Sequence, residues 1–199
     1  MLLEKLKGLG ADRVYLSYKK ARQKLFSTID NDQGTVQGVY SPLALQTDKI
    51  PSASGALGMN TEHTWPKCYG LDAYGVSDLH HLFPTSSRIN NKRGKLPFGV
   101  VATTKWEGAE SKMGLDHEGR MVFEPPDEHK GNVARALFYV AATYGLRIED
   151  KEEAVLRKWH LLDPVDAKER ERNDAIAGVQ GNRNPFIDNP QLVKRVTDF

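Results

Sequence analysis

Apolar positions recur at helical spacing in two stretches of the chain. Across residues 12–28, Val14, Tyr18, Ala21 and Leu25 fall on one face and Lys19, Lys20, Arg22 and Lys24 on the others, which predicts an amphipathic helix with a solvated basic side. Across 132–144, Val133, Leu137, Val140, Ala141 and Tyr144 form the clearest stripe in the sequence. Short runs at 36–40 and 100–106 predict strands, and 111–124 predicts a hairpin turning at 116–119. The last third reads as helix, cap, helix and closing loop. Asp150 with Glu153 fits a capping box, Trp159 and Leu162 supply an apolar face, and Asp163-Pro164 stops that helix and starts another that ends near Val179. Residues 180–188, rich in Asn, Gly and Pro, predict no regular element. No internal repeat is present.

Residues 60–98 follow a different logic. Two short apolar runs, Thr64-Trp65 and Leu79 to Phe83, each carry polar residues at one end, and Pro84-Thr85-Ser86 signals a helix start reaching Arg93. The pattern is strand, loop, strand, helix. Three of the six histidines, His63, His80 and His81, fall in this window beside carboxylates and candidate amide ligands. In such a finger, Glu62 and His63 at a strand end can face Asn90, about one turn into the helix. Glu62 and Asn90 offer oxygen, which suits Mg²⁺, and His63 offers a neutral nitrogen with an ordinary pKa of about 6.5. A base beside a cation is the pairing that phosphodiester hydrolysis needs. Strand alternation would send His80 and His81 to opposite faces, so at most one faces the metal, and His80 reads as a hydrogen-bonded core residue.

Composition narrows the picture. With 199 residues and 39% hydrophobic content, one compact domain spanning 1–199 is expected, the finger occupying about 58–95 and a helical part about 130–190. No stretch is long enough to span a membrane. Lys and Arg total 28 against 26 acidic residues, and a net charge of +2 does not announce a nucleic-acid binder. A phosphate-binding surface must come from uneven distribution, for which Arg88, Lys92, Arg93 and Lys95 make the best local case. The single cysteine, Cys68, excludes an intrachain disulfide. A tetrahedral zinc site from His63, Cys68, His80 and His81 lacks the paired ligand spacing of structural zinc. His-Glu-x-x-His and phosphate-cradling glycine motifs are both absent. Arg135 sits among Ala134, Ala136, Phe138 and Tyr139, an apolar setting in which a guanidinium needs an anion: Glu124, a carboxylate of the last helix, or a substrate phosphate.

Asn60-Thr61-Glu62-His63-Thr64-Trp65-Pro66, Asp78-Leu79-His80-His81-Leu82-Phe83-Pro84-Thr85, Asn90-Asn91-Lys92-Arg93-Gly94 and Pro97-Phe98-Gly99 resemble the blocks of the bacterial endonuclease I family. Gly131 to Tyr139 and Gln180 to Asp188 are similar to two more, in the family's order. The resemblance implies an α+β fold with a ββα-metal (His-Me) finger core flanked by helices. It implies a nonspecific nuclease of DNA, and often RNA, that leaves 5′-phosphate and 3′-hydroxyl ends. By matching position, His63 is the general base, and Glu62 and Asn90 hold Mg²⁺, with Mn²⁺ or Ca²⁺ as substitutes. Some relatives carry an arginine between the finger strands that holds the scissile phosphate. Residues 68–77 contain none, which leaves Arg93 and Arg135 as candidates. Cys68 stands where serine is more usual. A monomer without membrane contact is expected, acting on nucleic acid. Family members are typically exported, whereas the Met-Leu-Leu-Glu-Lys-Leu-Lys start lacks the apolar core of a signal peptide, so the compartment stays open. The competing reading is a nucleic-acid-binding module whose finger is inactive or built on zinc; a hydrolase of small phosphate esters is a third.

Overall fold

Ser17 sets a helix boundary: its hydroxyl accepts from the Lys20 amide at 3.4 Å, and α1 (Tyr18–Lys24) begins there. In the computed structural model, which describes residues 6–7, 13–46 and 58–199, this helix runs on into a wider π-type turn at Leu25–Ile29. Ala21, Leu25 and Phe26 face inward. The helix predicted over 12–28 is therefore shorter at its start. Residues 13–17 are not helical, Val14 is exposed with its amide donating to the Gln180 carbonyl at 2.8 Å, and Asp12 lies outside the described residues.

The described strands form three small antiparallel sheets. The first is β1 (Asn31–Asp32), β2 (Thr35–Gln37) and β3 (Ala44–Gln46), in that order. The predicted strand over 36–40 is cut at Gln37, because the Val39 amide leaves the sheet to donate to the Pro84 carbonyl at 2.9 Å. The second sheet pairs β4 (Met59–His63) with β5 (Leu82–Ser86), opposing Glu62 to Phe83 and His63 to Leu82. The third joins β6 (Thr103–Gly108), β7 (Ser111–Leu115) and β8 (Met121–Glu124). Its β7–β8 hairpin is the one predicted. Asp116 Oδ1 accepts from the Glu118 and Arg120 amides, both at 2.9 Å, and Gly119 takes the left-handed conformation (φ +81°) that closes the turn.

Between β4 and β5 lie α2 (Ala73–Val76) and a 3-10 turn at Leu79–His81; α3 (Ser87–Arg93) follows β5 directly. The expected strand, loop, strand, helix order holds, with two corrections. The first strand is the polar run 59–63 rather than Thr64-Trp65, and Leu79–His81 is not strand. Asp78 accepts from the His80 amide at 3.0 Å, a local cap that competes with strand pairing. His80 and His81 therefore do not alternate between faces. Both are buried, donating from Nε2 to the carbonyls of Asn182 (3.1 Å) and Gly75 (2.7 Å).

A 3-10 turn at Asp127–His129 leads into α4 (Lys130–Tyr144), two residues ahead of its predicted start. α5 (Asp150–Leu162), α6 (Ala167–Gln180), the single turn α7 (Pro185–Asp188) and a 3-10 segment at Pro190–Arg195 complete the order. Several predicted caps move by a few residues. Glu149 rather than Asp150 caps α5, accepting from the Glu152 amide, while Glu153 binds Arg157 (2.7 Å) and the Phe199 amide (3.0 Å). Asp166 rather than Asp163 caps α6. Leu162, expected on an apolar face, is 75% exposed, and the closing loop contains α7, capped by Asn184. Two apolar clusters hold these parts: one packs α4 against α5, Trp65, Ile89 and Phe98, and the other packs α1 against Met59, Leu79, Leu82 and Ile176. The ββα unit contributes to both, so its strands and helix are gripped from two sides.

Candidate active site

β4 ends at His63, beyond which the Thr64 amide donates to the His81 carbonyl at 3.0 Å. At this strand end Glu62 and His63 both line one cleft of about 320 Å³, which Asn90 of α3 also lines. The three residues named from the sequence are thus brought together. Tyr18, Lys67 and Cys68 join them on the wall.

Glu62 is 1% exposed. Its Oε1 accepts the Tyr40 hydroxyl at 3.1 Å and lies 3.4 Å from Arg93 Nε, while Oε2 has no protein donor among the described residues. Burial pushes its pKa above the usual carboxylate value, and Arg93 and Tyr40 pull it back. His63 is oriented by its Nε2, 2.9 Å from the Val76 carbonyl. A carbonyl can only accept, so Nε2 carries the hydrogen and Nδ1 keeps its lone pair. The imidazole packs against Tyr18 and His81, with ring centres 5.3 and 5.6 Å away. Burial, seconded by His81, lowers its pKa to about 3, so the ring is neutral at pH 7. Asn90 donates from Nδ2 to the Thr61 carbonyl at 3.3 Å, which leaves Oδ1 as the atom it can offer to a ligand.

The two arginines expected to hold a phosphate differ in their placement. Arg93 borders the cleft but is 2% exposed, its guanidinium donating to the carbonyls of Thr64 (2.6 Å), His63 (3.1 Å) and Gly94 (3.3 Å) and lying 4.6 Å from the Phe98 ring centre. It fixes the end of β4. Arg135 is outside the cleft altogether. It is fully buried, donating from Nε to Glu169 Oε1 (2.7 Å) and from Nη1 to the Asp163 carbonyl (2.8 Å), and Nη2 lies 2.6 Å from Glu169 Oε2. Of the anions weighed for it, a carboxylate of the last predicted helix, Glu169, is the one present. The close approach depends on Gly131, where an added Cβ would meet the Asp163 carbonyl oxygen at 1.9 Å. Exposed cations at the cleft are Lys67 and Lys95. Sequence reasoning missed Lys67 and Tyr40, the latter 22 positions from its partner Glu62, with no local signal to join them.

The donor set fits a hard divalent cation. It offers one carboxylate with an unengaged oxygen, one amide oxygen and room for water, the sparse protein contribution that Mg²⁺ accepts. It does not fit structural zinc. Among the described residues no three His, Cys, Asp or Glu side chains are gathered around a point, and both His80 and His81 spend Nε2 on backbone carbonyls.

An extracellular ribonuclease of Bacillus amyloliquefaciens is 34% identical over 203 residues, covering 91% of this chain and 68% of that protein. One from Bacillus subtilis (strain 168) is 38% identical over 160 residues, covering 69% and 53%. An extracellular deoxyribonuclease of Aeromonas hydrophila is 34% identical over 116 residues, covering 56% and 48%. The chain thus spans about two thirds of the first of these and about half of the other two. The family model described as Endonuclease I matches residues 11–191, nearly the whole sequence, and the chain belongs to the endonuclease I family.

Proposed function

We propose that this chain is a divalent-metal-dependent endonuclease that hydrolyses phosphodiester bonds of DNA and RNA with little sequence preference. The observation that carries the reading is a neutral imidazole with a free Nδ1 in the same cleft as a carboxylate with an unengaged oxygen. His63 Nδ1 takes a proton from a water lying in line with the phosphorus. The water oxygen bonds to phosphorus, the bond to the 3′ oxygen breaks, and that oxygen takes a proton from solvent, giving 5′-phosphate and 3′-hydroxyl ends. Glu62 and Asn90 would hold Mg²⁺, or Mn²⁺ or Ca²⁺ in its place, which when bound supplies positive charge for the phosphate and the departing oxygen. The Val76 carbonyl keeps His63 in the basic tautomer, and Arg93 keeps the Glu62-His63 backbone in place. Lys67 and Lys95 are the candidates for backbone phosphates. Such contacts carry no sequence information, which suits a nonspecific enzyme.

The competing reading, a binding module with an inactive or zinc-built finger, makes different forecasts. A Mg²⁺ nuclease stops nicking plasmid in EDTA and stays folded, whereas a zinc-built domain loses thermal stability there. His63→Ala is expected to cut nicking by about 10²- to 10⁴-fold, the usual worth of a general base, with an unchanged melting temperature. Nicking at the parental rate would remove the base assignment. Several relatives are named extracellular or periplasmic, and on that ground we propose an exported enzyme, acting as a monomer. Among the described residues no helix is long and apolar enough to cross a membrane.

A further inference from the structure

A second cavity, of about 510 Å³, opens beside the catalytic cleft and shares Pro66, Arg93 and Lys95 with it. Its wall combines two aromatic side chains, Trp65 and Tyr69, with Leu96, Leu146 and Ile148. The aromatic pair is braced: Trp65 Nε1 donates to the Tyr69 carbonyl at 2.8 Å, and the Tyr69 hydroxyl donates to the Lys95 carbonyl at 3.3 Å. Tyr69 nevertheless remains 47% exposed. Glu152 supplies the polar feature. Its Oε1 accepts the Phe98 amide at 2.7 Å, and the other oxygen, without a protein donor among the described residues, is left as an acceptor. Arg120 and Arg147 stand at the mouth, partnered by Asp116 and Glu149 and by Asp150 respectively.

We infer that this cavity receives one unstacked nucleobase of the strand whose phosphate lies in the catalytic cleft. The inference deepens the nuclease reading and rests on it. A polymer crossing the cleft must pass Lys95 and Pro66, which wall both spaces, so a base next to the bound phosphate is the group carried to the second mouth. An amphipathic space of this size, mostly apolar with a few convergent polar groups, suits a heteroaromatic ring. Aromatic walls stack on any base, and a carboxylate oxygen accepts from the N–H edge of one. Bases paired in a duplex cannot enter, so the cavity adds affinity only for single strands and for strands that open at the cleft.

The test uses the whole chain in EDTA, with binding of a dye-labelled single-stranded oligonucleotide read by fluorescence anisotropy. An abasic residue is moved along the oligonucleotide one position at a time. One position is expected to weaken binding on the order of tenfold, in line with the worth of a stacked base. In Leu146→Trp, which fills the cavity, and in Tyr69→Ala, which removes a wall, that position should lose its effect while nicking of duplex plasmid in Mg²⁺ stays within twofold. An abasic scan of the parental protein with no sensitive position, no binding of the intact oligonucleotide, or an equally sensitive position in both variants overturns the inference. Duplex nicking that persists in those cases leaves the nuclease reading standing. Loss of nicking in every metal, with the abasic pattern intact, removes the nuclease reading instead.

Discussion

Replacing Arg93 by methionine separates two roles that a cleft-lining arginine can have. The side chain is 2% exposed and donates to the carbonyls of Thr64 and His63 at 2.6 and 3.1 Å, while its Nε lies 3.4 Å from the carboxylate of Glu62. A hydrogen bond from a charged group is worth about 1.5–3 kcal/mol, and losing one member of a buried pair costs about 3–5 kcal/mol because the other charge is left uncompensated. These terms overlap, so Arg93→Met is expected to lose on the order of 3–5 kcal/mol in EDTA, measured by urea denaturation at pH 7.5. The loss should shrink as the pH falls. Glu62 already has a raised pKa from burial, and removing Arg93, which lowers it, raises it further. A group with a raised folded pKa favours folding at low pH and loses that contribution as pH rises through the folded value, so the variant suffers most where Glu62 must be ionised. Stability within 1 kcal/mol of the parent, with only a raised KM for DNA, would mean that Arg93 serves a phosphate and that its role in fixing β4 is wrong.

Three further outcomes follow from buried groups. Arg135→Met should lose about 3–5 kcal/mol through the orphaned Glu169 carboxylate, yet cut plasmid normally at low temperature; a selective loss of kcat would return Arg135 to the site. Tyr40→Phe removes the donor to Glu62 Oε1 and should raise the Mg²⁺ needed for half-maximal nicking about tenfold, as loss of a group that orients a metal ligand does, with KM for DNA unchanged; an unaltered Mg²⁺ curve would count against it. His129 lies between the rings of Tyr40 and Phe83, and burial, with Arg172 and Arg135 nearby, lowers its pKa to about 3. A histidine so depressed contributes stability above pH 6.5 that is lost as the pH falls toward 3. Between pH 6 and 4, His129→Phe should therefore remove about 1.4 kcal/mol per pH unit from the slope of stability, and parallel slopes would refute the assignment.

Local chemistry explains what could be read in the sequence. The α4 stripe and the turn at Asp116–Gly119 depend on neighbours within a few residues, and both appear where the pattern puts them. Glu62, His63 and Asn90 were legible because the finger that gathers them spans only some thirty positions, and their common cleft follows from a strand end meeting the next helix. The strand boundary was not. β4 reads Met-Asn-Thr-Glu-His, a polar run whose burial comes from Tyr40, Arg93 and the apolar clusters on either side. His80 is the hydrogen-bonded core residue that the sequence suggested, but its expected alternation with His81 failed because the Asp78 cap turns a strand-like run into a 3-10 turn. The fates of Arg93 and Arg135 rest mainly on partners 28 to 34 positions away; the apolar surroundings of Arg135 already called for a buried anion, whereas the basic surroundings of Arg93 carry no sign of its carbonyl partners.

Titration of Mn²⁺ into the protein, with free ion counted by electron paramagnetic resonance, tests the shared cleft most directly. The expected result is one ion bound per chain in the parent, the same in His63→Ala although it cuts poorly, and marked loss of binding in both Glu62→Gln and Asn90→Ala. Mn²⁺ bound equally by all four proteins would contradict the account, because the ion would then lie away from the imidazole that is held to activate water beside it.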